Sequence, residues 1–340
     1  MSPDSAVVRE HLIDRMPTLS GAEIVEQLVP PRQFVMASLE SYRPDHDYPS
    51  QAEAVDAIRS FIAGWRPSGG FFFRKKTPDV LPGIYLDGGF GVGKTHLLAS
   101  LWHEAPGRKY FGTFIEYTAL VGALGYAPAF ELLKGSSFLA IDEFELDDPG
   151  DTRIMSRLLT ELVATGTRIA ATSNTPPNAL GEGRFAAQDF LREIDALSAQ
   201  FQTIRIDGLD YRRRDVENHA ETHDAAELTA AVDKFSGAIT VDSFDDILLH
   251  LAKVHPSRYF KLVAGLDAVA ITDVHVLTGQ TDALRLVAFI DRLYDAQVPI
   301  IASGVPLDEV FAADMLSGGY RKKYLRATSR MIALTSGEGL

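Results

Sequence analysis

The sequence predicts an α/β fold in which helices cover both faces of a parallel sheet. Between residues 84 and 206, short apolar segments alternate with segments of helical period, and strands that are separated by helices run parallel. A glycine-rich turn joins the first of these strands to the helix that follows it. The chain has 340 residues and is 46 % hydrophobic, which is sufficient for a buried core.

The elements before this sheet are few. Residues 1–50 are polar and contain four prolines between positions 30 and 49, so we expect an extended arm with one short helix. Apolar residues recur at helical spacing from Ala52 to Ile62, which predicts a helix that starts near Pro49. Residues 66–83 are rich in Gly and Pro and predict a loop.

Five strands and four helices are predicted between residues 84 and 206. The strand sequences are IYLDG, YFGTFIEY, SSFLAIDEF, TRIAATSN and FQTIRI. The helix sequences are THLLASLWHEA, TALVGAL, TRIMSRLLTELVATG and AAQDFLREIDALSAQ. Each helix follows a strand, as expected for a doubly covered sheet.

The remainder of the chain is predicted to be α/β again. A linker and a helix over 216–236 precede a helix at 243–253, a strand AVAITDV, a helix DALRLVAFIDRLYDA and a strand VPIIASG. The segments 167–180 and 298–311 echo each other, since each runs from a strand through small polar residues and a proline into an apolar helix. Two copies are too few to establish a repeat, and two strand ends built by the same rules would look alike.

The glycine-rich turn matches the phosphate-loop pattern G-x-x-x-x-G-K-[ST] between a strand and a helix. Glycines let successive amides point at phosphate oxygens, and the helix N-terminus favours negative charge. The lysine reaches the β- and γ-phosphates of ATP, and the threonine hydroxyl serves Mg²⁺. The predicted nucleotide-binding residues are Gly88, Gly89, Phe90, Gly91, Val92, Gly93, Lys94 and Thr95.

An acidic pair ends the strand FLAID. Asp142 lies at the carboxyl end of this strand, beside the crevice where ligands of parallel sheets bind. We predict that Asp142 holds the hydration shell of Mg²⁺ and that Glu143 activates the attacking water as a general base. In isolation, such a pair can equally be a loop cap.

Polar residues also end the strand TRIAATSN. Asn174 is predicted to lie near the γ-phosphate and to help place the water, with a turn or helix cap as the alternative. The transition state of phosphoryl transfer needs positive charge as well. Arg184 and Arg192 follow, and we expect that one of them acts on a neighbouring subunit as an arginine finger, unless both form surface salt bridges.

The order of these three motifs resembles that of the AAA+ ATPases with an additional strand. The longer segments GIYLDGGFGVGKTHLL, FLAIDEFELDDPGDT, DGLDYRRR and YLRATSRM are similar to those of the ZapE cell-division ATPases, relatives of the mitochondrial AFG-type ATPases. The similarity covers roughly residues 50–332. The second strand and the single Arg285 before LYD depart from the usual pattern, which indicates a divergent, actinobacterial-like branch.

This resemblance implies three segments: an arm at 1–50, an ATPase core at 51–215 and a lid-like α/β part at 216–340. It implies a homo-oligomer that completes its site in trans and a cytoplasmic role at the division ring through the tubulin-like protein FtsZ. It also makes Arg285 the candidate nucleotide-sensing arginine. Arg326 and Arg330 are predicted to form salt bridges between lid and core, or else to contact phosphate or a partner.

Composition limits the other functions. The formal charge of −13 counts against broad nucleic-acid binding, and no apolar run reaches the roughly 18 residues of a membrane helix. With no cysteine, disulfides and thiolate chemistry are excluded. A nucleic-acid-associated switch of the helicase-loader type is the alternative, supported by the basic run YRKKYLRATSR. A P-loop kinase is a third possibility, which the predicted water-activating residues argue against.

Overall fold

We analysed a computed structural model of the chain. It describes residues 8–18, 20–65, 81–145, 149–176, 180, 199–209 and 219–336. The chain divides into two compact units. The core unit comprises residues 20–30 and 34–214, and the C-terminal unit comprises residues 1–19, 31–33 and 215–340. The prediction of an arm, a core and a lid with boundaries near 50 and 215 stays a prediction.

The core unit is built on a parallel sheet of five strands in the order β3-β4-β5-β2-β6. The strands are β2 (Gly83–Gly88), β3 (Lys109–Thr113), β4 (Phe138–Asp142), β5 (Arg168–Ser173) and β6 (Phe201–Ile206). β5 therefore lies between the strand that leads into the phosphate loop and the strand that ends in the acidic pair. The carboxyl ends of these three neighbours meet at one edge of the sheet.

Helices cover this sheet. They are α1 (Gly21–Glu26), α2 (Pro49–Ala63), α3 (Lys94–Glu104), α4 (Phe114–Leu124), α5 (Tyr126–Leu133) and α6 (Pro149–Ala164). Apolar residues of α2 and α3, such as Ile58 and Leu97, form one buried cluster with Ile84 of β2 and Phe138 of β4. The alternate residue Leu139 is also fully buried, so both faces of β4 are covered.

The C-terminal unit holds a second parallel sheet, in the order β1-β7-β8-β9. Its strands are β1 (Val8–Glu10), β7 (Ala238–Ser243), β8 (Ala268–Val274) and β9 (Ile300–Gly304). Its helices are α7 (Ala225–Lys234), α8 (Phe244–Leu251), α9 (Tyr259–Val263), α10 (Gln280–Ala296) and α11 (Arg321–Thr335). Leu228 of α7 packs against Ala268 of β8, and Val269 lies in the larger cluster that contains α8 and α10.

The predicted strands and helices of both units are confirmed wherever the chain is described, with some boundaries corrected and one exception. The apolar helix expected at the end of segment 298–311 is only a 3-10 turn, Leu307–Glu309. The segment YFGTFIEY was predicted as one strand up to Tyr117, but β3 ends at Thr113 and α4 begins at Phe114. The Thr113 hydroxyl accepts a hydrogen bond from the Glu116 amide, and the Glu116 carboxylate accepts one from the Thr113 amide. This capping box starts the helix at that point.

The elements that were not predicted include α5, α9, β1 and β7. β1 has three residues and acquires its strand geometry only by pairing with β7, which no local pattern signals. β7 was overlooked because its apolar run AITV is short and precedes a predicted helix. The predicted loop 66–83 lies outside the described residues except for its last three, of which Gly83 already belongs to β2. The predicted helix AAQDFLREIDALSAQ also lies outside them, except for its last two residues.

Candidate active site

The phosphate loop, Gly88–Thr95, has the backbone geometry that its glycines predict. Gly91 and Gly93 have φ values of 64° and 84°, in the left-handed region that favours glycine. A Cβ on Gly88 would lie 2.3 Å from the carbonyl oxygen of Ile206 in β6, whereas a Cβ on Gly89 would meet nothing within 4 Å. The loop is thus tightly packed on its strand side and open beside Gly89. α3 begins at Lys94, so the last two residues of the loop form the start of this helix.

The Lys94 ammonium lies inside this loop. Its Nζ atom donates to the carbonyl oxygens of Gly88, at 2.9 Å, and Gly89. It also donates to Oδ1 of Asn174, at 2.8 Å. The lysine of the first motif and the asparagine of the third are therefore in direct contact, although 80 residues separate them in sequence.

Thr95 and Asp142 join the first motif to the second. The Thr95 hydroxyl oxygen lies 3.1 and 3.2 Å from the two carboxylate oxygens of Asp142, which is buried at the end of β4. Hydroxyl and carboxylate oxygens are the hard donors that Mg²⁺ prefers. The donor set that the structure assembles here fits this ion.

Thr172 connects the acidic pair to β5. Its buried hydroxyl donates to Oδ1 of Asp142 and accepts a hydrogen bond from the Glu143 amide at 3.1 Å. The Thr172 carbonyl also accepts a hydrogen bond from the Phe144 amide, at 2.7 Å. These contacts hold Glu143 at φ 53°, a left-handed conformation that costs a non-glycine residue free energy. The sequence motif predicts a role for Asn174 and signals none for Thr172.

Tyr85 fixes the start of the segment that follows β5. Its hydroxyl donates to the Thr175 carbonyl at 2.7 Å, and its ring packs edge-on against Phe144 and Phe201. Burial raises the pKa of Tyr85 far above its usual range, so the hydroxyl stays a neutral donor. Asn174, one residue earlier than Thr175, is thereby held beside the phosphate loop.

The segment 34–51 borders the phosphate loop, a contact that no local sequence pattern predicts. The Tyr42 hydroxyl donates to the Val92 carbonyl at 2.8 Å, and burial raises the pKa of Tyr42 to about 12. A Cβ on Gly93 would lie 2.5 Å from the Tyr42 ring, so glycine is needed for this approach. His96 of α3 holds the same segment through its Nε2 atom, 3.0 Å from the Ser38 carbonyl.

An ion pair precedes the loop. Asp87 of β2 is 4 % exposed, and its Oδ2 atom accepts a hydrogen bond from Arg205 of β6 at 2.8 Å. Arg205 also donates to Asp207 at 2.9 Å. The hydrogen bond from Asp87, followed by that from Asp207, raises the pKa of Arg205. Asp87 is the acidic residue in the otherwise apolar run IYLDG, which was the signal that sequence reasoning missed.

Three arginines were also predicted to act at the nucleotide site. Arg184 and Arg192 lie outside the described residues. Arg285 belongs to α10 of the C-terminal unit, where it donates to Asp282 at 2.9 Å, one turn earlier on the same helix. Its role as a nucleotide sensor stays a prediction.

Arg326 and Arg330 form salt bridges, as one of the two alternatives proposed, but within the C-terminal unit rather than between lid and core. Both donate to the carboxylate of Asp291 on α10, and all three side chains are at most 12 % exposed. Burial alone would raise the pKa of Asp291, but the two guanidinium groups outweigh it and hold the pKa below its usual range.

The family model for AFG1-like ATPases matches residues 21–240 and 235–340. The chain belongs to this family. The match spans both units, so the C-terminal unit is part of the family's architecture. With the strand order of the core sheet, it makes the protein a nucleotide-binding ATPase of the P-loop AAA+ type.

Several curated relatives match most of the chain. The Cell division protein ZapE of Escherichia coli strain K12 is 27 % identical over 310 residues, which cover 78 % of this chain and 80 % of the relative. An uncharacterized protein of Schizosaccharomyces pombe is 26 % identical over 335 residues, which cover 80 % of this chain and 73 % of the relative. Sequence identities of 26 % and 27 % to these relatives make the chain a divergent member of the family.

Among solved structures, domain III of the replication initiation protein DnaA from Thermotoga maritima is 18 % identical, with a TM-score of 0.40. It covers 52 % of this chain and 69 % of that domain. This likeness is too distant to support further conclusions. No helix in the described ranges combines the length and hydropathy needed to cross a membrane.

Proposed function

We propose that this ATPase hydrolyses ATP at the edge of the core sheet where the phosphate loop, the acidic pair and Asn174 meet. The observation that carries the proposal is the set of direct contacts from Lys94 to Asn174 and from Thr95 to Asp142. These contacts bring together the end of β4, the residue that follows β5 and the first turn of α3. A glycine-rich turn with no ligand would need no such convergence of charged and polar side chains.

Each side chain has a role in the proposed mechanism. The amides of Gly88 to Gly93 cradle the phosphates, and Lys94 moves from the loop carbonyls to the β- and γ-phosphate oxygens. Glu143 removes a proton from the attacking water, and Asn174 orients that water and the γ-phosphate. Thr95 and Asp142 would hold Mg²⁺, which supplies charge for the developing transition state.

The proposed site is completed by a second subunit. Phosphoryl transfer needs positive charge near the transferred group. Among the described residues at this edge of the core sheet, Lys94 alone supplies that charge. We propose a homo-oligomer in which Arg184 or Arg192 of one subunit serves the nucleotide of its neighbour. Arg285 is the proposed cation from the C-terminal unit.

The proposed work of hydrolysis is remodelling of the division ring. Similarity along 78 % of the chain to a protein named for cell division supports this role. The partner would be an FtsZ-like protein, and the place of action the cytoplasm at the division site. Nucleotide-driven movement of one unit or subunit would destabilise the assembled ring.

The test is steady-state ATP hydrolysis with and without purified FtsZ, in the wild type and in Glu143→Gln. Stimulation by FtsZ that the variant lacks would support the division-ring role. ATP hydrolysis that FtsZ leaves unchanged, but that another protein or single-stranded DNA stimulates, would refute the partner and leave the ATPase in place.

The nucleic-acid switch receives less support. Its sequence signal was the basic run on α11, but Arg326 and Arg330 of that run turn inward onto Asp291. Only the start of the helix, around Arg321, presents exposed basic residues. An affinity for DNA that falls steeply with salt would revive this alternative.

A further inference from the structure

The C-terminal unit repeats the strand order of the core unit. β7, β8 and β9 are parallel neighbours, as are β3, β4 and β5. In the core, β2 lies on the far side of β5, where Leu86 pairs with Thr172. In the C-terminal unit, His223 lies on the corresponding side of β9, away from β8, where it forms a parallel bridge with Ser303. α7 follows His223 as α3 follows β2.

The connections around the first two strands also correspond. Thr113 ends β3 and caps α4 through the Glu116 amide, and Ser243 ends β7 and caps α8 through the Asp246 amide. Both strands pass into a helix with no intervening loop, at positions 130 residues apart. In register, Thr113 pairs with Asp142 just as Ser243 pairs with Thr272.

The same spacing relates the turns that enter the next strand. Gly135 has φ 74° and lies three residues before β4, and Gly265 has φ 73° and lies three residues before β8. These glycines are again 130 residues apart. Their backbones thus agree to within one degree at a position where positive φ restricts the residue type.

The acidic turn is the most specific correspondence. Asp273 follows Thr272 with φ 60°, as Glu143 follows Asp142 with φ 53°. The Asp273 amide donates to the Ser303 hydroxyl at 3.4 Å, as the Glu143 amide donates to the Thr172 hydroxyl at 3.1 Å. A left-handed acidic residue held by a hydroxyl of the neighbouring strand therefore occurs once in each unit.

The helix ends match as well. α6 closes at Gly166, with φ 95°, and the Thr167 amide donates to the Leu162 carbonyl at 3.2 Å. α10 closes at Gln297, with φ 56°, and the next amide, of Val298, donates to the Leu293 carbonyl at 2.9 Å. Of the described non-glycine residues, three have positive φ, and each occupies a position that has a left-handed counterpart in the other unit.

The second set of elements lacks a phosphate loop. Only Asp224 separates His223 from α7, where the core has the five residues Gly89–Gly93. The Asp224 carboxylate accepts from the Ala226 and Glu227 amides at 2.8 Å, and Glu227 adds a second carboxylate at the same helix N-terminus. These charges occupy the amides that a phosphate would need and repel an anion.

The catalytic side chains are lost at matched positions. Thr272 stands at the position of Asp142, and α7 begins with alanines where α3 begins with Lys94 and Thr95. We infer that the C-terminal unit is a second, degenerate copy of the P-loop module, which has kept the frame of strands and turns and binds no nucleotide. Each chain then takes a single nucleotide, in the core unit.

Nucleotide stoichiometry tests this inference. Equilibrium dialysis of the full chain with Mg²⁺ and a non-hydrolysable ATP analogue should give one equivalent per chain. Lys94→Ala should weaken that equivalent about 10- to 100-fold, because a charged hydrogen-bond donor is removed. A second saturable equivalent in the wild type, or one that keeps wild-type affinity in Lys94→Ala, would place a nucleotide in the C-terminal unit and overturn the inference.

A matched pair of variants tests the correspondence without relying on nucleotide binding. Glu143→Gly and Asp273→Gly should each raise Tm by about 2–4 °C, since each removes the strain of a left-handed non-glycine residue. Only Glu143→Gly should abolish ATP hydrolysis. A lower Tm in Asp273→Gly, or loss of hydrolysis in that variant, would contradict the inferred equivalence of the two turns.

Discussion

The hydroxyl of Thr172 donates a hydrogen bond to the carboxylate of Asp142, and the same hydroxyl accepts one from the amide of Glu143, the residue after Asp142. The fully buried end of β5 thus sets both the orientation of the proposed metal ligand and the strained backbone of Glu143. Thr172 touches neither nucleotide nor water in the proposed mechanism, and it acts by positioning the acidic pair.

Thr172→Val should therefore reduce kcat for ATP hydrolysis by about 10- to 100-fold, the effect of losing a hydrogen bond to a charged group. KM for ATP should change little, because the phosphate loop is untouched. Thr172→Ser keeps the hydroxyl and should restore most of the activity. The matched control is Ser303→Ala in the C-terminal unit, which should leave kcat unchanged.

A fall in stability alone would not produce this pattern. If Thr172→Ser were as inactive as Thr172→Val, or if Ser303→Ala lost as much activity, the positioning role of Thr172 would be wrong.

Tyr42 should contribute to the stability of the phosphate loop. Tyr42→Phe removes the hydrogen bond to the Val92 carbonyl and should lower the free energy of unfolding by about 0.5–1.5 kcal/mol. Because the loop then loses a support, KM for ATP should rise. Urea unfolding and steady-state kinetics measure the two effects.

Tyr324→Phe is the control for Tyr42→Phe. The Tyr324 hydroxyl is buried without a hydrogen-bond partner, so its removal should leave stability unchanged or increase it. Equal losses in the two variants would show that the contact with Val92 contributes nothing specific.

The buried triad of Asp291, Arg326 and Arg330 should dominate the stability of the C-terminal unit. Asp291→Asn leaves two buried guanidinium groups without their carboxylate and should cost about 3–5 kcal/mol. The control is Asp282→Asn on the same helix, where Asp282 is half-exposed and pairs with Arg285, with an expected cost of about 0–1 kcal/mol. Denaturant unfolding of both variants provides the comparison, and equal costs would refute the dominance of the triad.

The triad also predicts an acid dependence. The pKa of Asp291 is lower in the folded chain than its ordinary value of 3.8, so the carboxylate stabilises the fold fully above that value. The stabilisation is lost as the pH falls through the folded pKa. Wild type should therefore lose stability below about pH 4 more steeply than Asp291→Asn. Parallel slopes for the two proteins would contradict the assignment.

A second pH dependence, of opposite sign, is expected from His11. Its Nδ1 atom lies 3.1 Å from Asp242, and this hydrogen bond, followed by the charge of Asp242, raises the pKa of His11 above 6.5. The stabilisation is present below pH 6.5 and is lost as the pH rises through the folded pKa. Tm measured at pH 6 and pH 8 should differ less in His11→Asn than in the wild type. An unchanged difference would rule out this contribution.

Features that depend on contiguous residues could be predicted from the sequence. The phosphate loop and the acidic pair could be predicted, because each is a contiguous pattern that carries its own backbone requirement, such as the glycines at 91 and 93. The sequence predicted Asn174 near the γ-phosphate, but its contact with Lys94 depends on β5 lying beside β2 in the sheet.

The remaining features could not be predicted because they depend on pairing across the fold. Tyr42 reaches Val92 from 50 residues away, and nothing in the polar segment around Tyr42 signals it. The two units resemble each other in φ angles and caps more than in residue types, so Asp273 gave no hint of its equivalence to Glu143. The similarity of segments 167–180 and 298–311 was the part of this correspondence that could be recognised from the sequence.

ATP hydrolysis at the site that Lys94 and Glu143 define underlies every other role proposed for this protein. Its most direct test is a single-turnover measurement of ATP hydrolysis, with nucleotide binding measured in parallel, for the wild type, Lys94→Ala and Glu143→Gln. Lys94→Ala should bind ATP about 10- to 100-fold more weakly, whereas Glu143→Gln should bind normally and hydrolyse about 10²- to 10⁴-fold more slowly. Hydrolysis at the wild-type rate in Glu143→Gln would contradict the proposed general base and the site built around it.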